Sequence, residues 1–125
     1  MGEGLRVRGM RTKLTNMSKK AEIIITVGLD AQQVPETIEW EARDSGMDGP
    51  KPTKAIMFNV WDSTEQSLMR IDLWTKEMPV DEMKRFFQQT FASMAETYRR
   101  ATGQEAGADA IKAFADKFAA ISQQN

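Results

Sequence analysis

Residues 53–75, TKAIMFNVWDSTEQSLMRIDLWT, decide the fold. The runs 53–61 and 67–75 are rich in β-branched and aromatic side chains and flank the turn-forming DSTEQ. They read as an antiparallel hairpin closed by a loop of about five residues. Side chains alternate across a strand, so each run contributes to two faces. Ile56, Phe58 and Val60 share one face with Met69, Ile71 and Leu73; it is wholly apolar and is expected to meet helices. The opposite face gathers Met57, Asn59 and Trp61 with Leu68, Arg70, Asp72 and Trp74. That mixture is too apolar for water, and two Trp, a Met and a Leu are the composition of an interface.

Upstream, AEIIITVGL at 21–29 is dense in β-branched residues and is bounded by Asp30. TIEWEAR at 37–43 alternates, with Ile38, Trp40 and Ala42 on one side, and Pro35 is placed in the connection before it. The two segments read as a first antiparallel pair, and DSGMDGPKP at 44–52 as a loop of turn formers. Downstream, Pro79 suits a helix start. Residues 80–101 carry Val80, Met83, Phe86, Phe87, Phe91, Met94, Ala95 and Tyr98 at spacings of three and four, the pattern of an amphipathic helix. Asp81 and Glu82 in its first turn and Arg99 and Arg100 in its last complement the helix dipole, and Gly103 suits the stop. The apolar stripe is wide enough to touch both the sheet and a further helix or a second subunit. A last, Ala-rich helix is expected from about Glu105 to Ser122, with Ile111, Phe114, Ala115, Phe118 and Ile121 as its stripe. The expected fold is therefore α+β: one four-stranded antiparallel sheet of two hairpins, then two C-terminal helices packed on one face.

A chain of 125 residues with 41% hydrophobic side chains is long and apolar enough for one domain. That domain is placed at 21–125, and residues 1–20 are read as a basic, disordered extension with Met17 as a candidate first residue. The extension holds six positive side chains and one negative, which leaves 11 positive and 17 negative beyond Lys20. An acidic body repels phosphate backbones, so no nucleic-acid partner is expected. No run reaches the ~20 apolar residues of a bilayer span, and the basic start lacks the apolar stretch of a signal peptide. A cytoplasmic location without membrane insertion is expected.

Cys and His are both absent from the chain. That removes Cys/His zinc sites, Ser-His-Asp triads, Cys nucleophiles and His bases. An enzyme would have only carboxylates, Lys, Ser/Thr and Tyr98 to work with. Asp62, Glu65 and Asp72 read as a turn cap, a solvated acid and an ion-pair partner of Arg70 or of a cation on another strand, not a hard-cation site. Lys54 reads as a solvated strand-end residue. No catalytic residue, metal or cofactor is assigned. The candidate surface is a protein-binding one: Met57, Trp61, Leu68, Arg70, Asp72 and Trp74.

Residues 60–90, VWDSTEQSLMRIDLWTKEMPVDEMKRFFQQT, resemble the gliding-motility protein GldC family of gliding bacteria. The family pattern has a strand ending in VWDS, then LRIDLWTK, then a MPVDEMK helix start and a paired-aromatic helix. Here these are Val60 to Ser63, Leu68 to Lys76 with Met69 inserted before Arg70, and Met78 to Lys84 followed by Phe86 and Phe87. VPETIEW at 34–40 matches the family's VPEKIYW-like stretch, and the resemblance spans roughly 17–122. It implies a small cytoplasmic protein that assists the gliding machinery, with no catalytic residues to carry over. Trp61, Asp62, Arg70, Asp72, Trp74 and Pro79 match the motif without an assigned role. The expected partner is a protein of that machinery, with homo-oligomerisation left open. The ββββαα order also resembles, at the level of fold alone, SecB-type export chaperones, so a chaperone or assembly factor for exported motility proteins is the alternative.

Overall fold

The computed structural model describes residues 19–123, and the chain divides after Glu77 into two compact units. The basic extension assigned to 1–20 lies almost wholly outside the described residues.

The first unit is built from β1 (Ile23–Leu29), β2 (Pro35–Ala42), β3 (Lys51–Thr53), β4 (Ala55–Asp62) and β5 (Ser67–Trp74). All pairings are antiparallel, in the orders β1-β2-β3 and β4-β5. The expected single four-stranded sheet is thus a three-stranded and a two-stranded sheet. The cause lies at Lys54, where the run 51–62 bends. β3 pairs with β2 at only three positions, Ile38 with Thr53, Glu39 with Pro52 and Trp40 with Lys51. Continued past the bend, that register would set Ala55 against Glu36 and Ile56 against Pro35, the first residue of β2. From Met57 onward β2 has no residue left to offer. β4 and β5 therefore pair only with each other and extend as a two-stranded arm. Pro35 belongs to β2 and not to the connection, as a first strand position tolerates its missing N–H. Lys51 and Pro52, assigned to a loop, belong with Thr53 to β3.

The turn out of β1 is organised by Asp30. Its Oδ1 accepts the backbone N–H groups of Gln32 at 2.8 Å and Val34 at 3.0 Å. The β4–β5 turn is closed by the Gln66 N–H donating to the Asp62 carbonyl at 2.8 Å, with Gln66 at φ 53°. The most buried large side chain is Ile38, 1% exposed, whereas Trp40 on the same side of β2 is 38% exposed. The base of the arm is fastened by Thr75, buried, whose backbone N–H donates to the Lys54 carbonyl at 2.9 Å.

The second unit is a helical hairpin of α1 (Val80–Thr102) and α2 (Glu105–Ser122), at the bounds expected within a residue. Pro79 enters α1 in an extended conformation, and Gly103 leaves it at φ 73°, its N–H donating to the Arg99 carbonyl at 2.9 Å. That left-handed geometry suits a residue without a Cβ. Ala95, Ala108 and Ala115 are buried in the seam, where small side chains let the helices approach. Phe91 wedges edge-on between Phe114 and Phe118, with ring centroids 5.2 and 5.1 Å away. Gln88 donates to Ser122 Oγ at 2.6 Å, and Arg99 binds Glu105 at 2.8 Å across the connection.

Candidate protein-binding face of the β4–β5 arm

The register of the arm sets which side chains share a face. Ala55 stands opposite Trp74, Met57 opposite Asp72, Asn59 opposite Arg70 and Trp61 opposite Leu68. Directly opposed residues point to the same side of a ladder. All six candidate residues, Met57, Trp61, Leu68, Arg70, Asp72 and Trp74, therefore lie on one face. Trp61 is 66% exposed and Trp74 56%; Leu68, Arg70 and Asp72 are also exposed, and Met57 is half-buried. The indoles do not form one cluster. Trp74 sits at the base of the arm and Trp61 at its tip, about 20 Å apart along the strands at ~3.4 Å per residue.

Between the indoles, Arg70 meets Asp72 in a two-pronged contact, with Nη2 2.8 Å from Oδ1 and Nε 3.2 Å from Oδ2. The two residues are two apart on β5, so the strand itself sets them side by side. Their charges cancel, and the face carries no net charge. A fork-shaped guanidinium–carboxylate contact also fixes both side chains more firmly than a single bond does. Asp62 is occupied as a turn cap, accepting the Glu65 backbone N–H at 2.7 Å. The three acids of the hairpin thus do not converge, and among the described residues no group of three or more acidic side chains could hold a metal ion. Lys54 is exposed at the bend, as expected of a strand-end lysine.

The opposite face is the apolar one. Ile56 with Leu73, Phe58 with Ile71 and Val60 with Met69 form the wholly apolar side, as alternation implied. Only Ile56 and Leu73 are half-buried; Phe58, Val60, Met69 and Ile71 are exposed. Periodicity assigns residues to a face but does not say how far a strand outruns its neighbour. The arm therefore exposes apolar side chains on both sides. The link from Lys76 to Asp30, 2.7 Å long, was not visible in the sequence either, because 46 positions separate its partners.

These features define a class: a small α+β protein with antiparallel sheets, an exposed aromatic β-arm and a C-terminal helical hairpin. The chain belongs to the GldC-like family, as the model of the gliding motility-associated protein GldC-like family matches residues 35–124, which take in β2 and every later element. No curated protein and no solved structure matches significantly. Among the described residues, no helix is long and apolar enough to cross a membrane.

Proposed function

We propose that this chain is a non-enzymatic cytoplasmic accessory protein of bacterial gliding motility that acts by binding another protein through the mixed face of the β4–β5 arm. Membership of the GldC-like family supports the association with motility. The observation that carries the binding reading is the face itself: two exposed indoles bracket a neutral, internally paired Arg70–Asp72 on the β4–β5 ladder. Trp and Arg are enriched among residues that dominate binding energy, and preset side chains lose little entropy on docking. A two-stranded ribbon with apolar side chains on both sides is marginal in water by itself, which favours a protein occupant.

The test is affinity capture of partners by the tagged full chain and by a Trp61→Ala/Trp74→Ala double variant with an unchanged circular-dichroism spectrum. The variant is expected to lose the partner. Equal recovery by both would remove these residues from the interface. Exposure of apolar side chains on both faces of the arm favours one second reading, a SecB-like chaperone for exported motility proteins. That reading requires the chain to suppress aggregation of an unfolded client, which a docking module for one folded partner would not do.

A further inference from the structure

We propose that β5 pairs antiparallel with β5 of a second copy, edge to edge, to make a four-stranded sheet in the order β4-β5-β5-β4. Among the described residues, β4 is the only strand bonded to β5, so one edge of β5 is open. The backbone bonds show which groups line that edge. The Thr75 N–H donates to the Lys54 carbonyl, one step beyond the pairing of Trp74 with Ala55. In an antiparallel ladder, residues that exchange bonds with the partner strand alternate with residues that turn both groups away. Leu73, Ile71 and Met69 therefore bond to β4 as Thr75 does, and Leu68, Arg70, Asp72 and Trp74 turn N–H and C=O to the open edge. The usual guards of such an edge are missing: SLMRIDLW has no Pro and no Lys, and its register with β4 runs without a bulge.

Charge selects a second copy as the occupant and fixes its register. A two-fold interface must be complementary to itself. An axis at right angles to the sheet through Ile71 sets Arg70 opposite Asp72 of the second copy, and Asp72 opposite its Arg70. Arg70 and Asp72 already touch along the strand. Each chain thus presents a charge dipole lying along its edge, and the axis brings the two dipoles side by side and antiparallel. Opposite charges then meet both along each strand and across the pair, and opposed unlike charges stabilise neighbouring strands. The contact within the strand uses Nε and one Nη of the guanidinium, which leaves N–H donors for a second carboxylate. Centring on Arg70 or on Asp72 would oppose like charges, and a centre nearer either end shortens the pairing. The Ile71 register also sets Leu68 against Trp74 on the mixed face and Met69 against Leu73 on the apolar one. Along the other edge of the arm, β4 has no charge from Ala55 to Trp61 to fix a register.

The chain has no Cys, so introduced thiols report the geometry directly. Ile71 on the axis would face its own counterpart in a pair without ladder bonds, with Cα atoms ~4.5 Å apart, inside the span of a disulfide. Met69, on the same face, would lie ~14 Å from its counterpart at ~3.4 Å per residue. Full-length Ile71→Cys is expected to form a covalent dimer under oxidised glutathione, and Met69→Cys is not. In sedimentation velocity at micromolar concentration the wild-type chain is expected as a dimer. Arg70→Asp and Asp72→Arg, each with unchanged circular dichroism, should weaken it roughly tenfold, and both substitutions in one chain should restore it. A wild-type monomer throughout the micromolar range, equal cross-linking of the two Cys chains, or a double swap no tighter than the single variants each overturns the proposal. All of these readouts use the purified chain with Trp61 and Trp74 intact and no motility partner, and pairing along the edge leaves the mixed face uncovered. Failure here and failure of the binding reading are therefore separable.

Discussion

Lys76 Nζ lies 2.7 Å from Asp30 Oδ2, joining the segment after β5 to the turn after β1. The Asp30 side chain is only 13% exposed, and its other oxygen is already taken by the backbone N–H groups of that turn. One carboxylate thus organises the turn of the three-stranded sheet and holds the end of the two-stranded one. Lys76 belongs to the run RIDLWTK that carries the family resemblance, and the structure gives it a mechanical role.

This link should make stability pH-dependent in a defined sense. The hydrogen bond from Lys76, then that from the Val34 N–H, holds the Asp30 carboxyl below the ordinary carboxylate range. Asp30 in turn raises Lys76 above the ordinary lysine range. A depressed carboxylate stabilises the fold fully above its unfolded pKa, and that share is lost as pH falls through the lowered folded value. A raised lysine stabilises below its unfolded pKa, and its share is lost as pH climbs through the raised one. Asp30→Asn keeps the turn acceptor and removes the charge. Its Tm is expected to lie below wild type at neutral pH, with the gap closing on acidification. A gap that stays constant down to the acid end, in thermal melts across pH, would refute the ion-pair account.

Burial separates Ile38 from Trp61. Ile38→Ala should cost about 2–5 kcal/mol, because Ile38 is 1% exposed and its removal leaves a cavity. Trp61→Ala, although it removes far more atoms, should change stability by no more than ~1 kcal/mol, as exposed positions away from special features generally do. Urea unfolding of the two variants side by side checks the order.

Gly103 ends α1 at φ 73° with nothing within 4 Å of where a Cβ would stand. The cost of a side chain there is purely conformational. Gly103→Ala should destabilise by about 1–2 kcal/mol, and Gly103→Asn by less, since Asn tolerates the left-handed region. Chemical denaturation of both variants is the measurement.

Phe91 meets Phe87, Phe114 and Phe118. Phe91→Ala should cost about 3 kcal/mol, the lower end for a buried Phe, because the ring is only partly enclosed. Loss of helical signal at lower urea than wild type would register it, and an unchanged midpoint would contradict the wedge.

The elements were legible in the sequence because each is governed by local periodicity. Alternation in AIMFNVWD and SLMRIDLW placed Trp61, Leu68, Arg70, Asp72 and Trp74 on one side, and the pairing register agrees residue by residue. Three-and-four spacing and the dipole-complementary ends located both helices, and Asp62 and Asp72 took the turn-cap and ion-pair roles their neighbours suggested. What failed was continuity. A bend at Lys54 and a β2 that ends at Pro35 split one expected sheet into two. Nothing in a window of ten residues reveals where a distant strand stops.

By itself, the sequence determined the order and type of the elements, the two faces of the arm, the exclusion of thiol and imidazole chemistry, and the family likeness. These follow from residue identity and short-range spacing, which set backbone preference and side-chain direction before any long-range contact forms. Only the tertiary structure decided that the arm outruns its sheet, that Phe58, Val60, Met69 and Ile71 stand exposed, and that Asp30 meets Lys76. Those depend on where chain segments tens of residues apart come together, and burial and ion pairing are properties of that meeting, not of either segment alone.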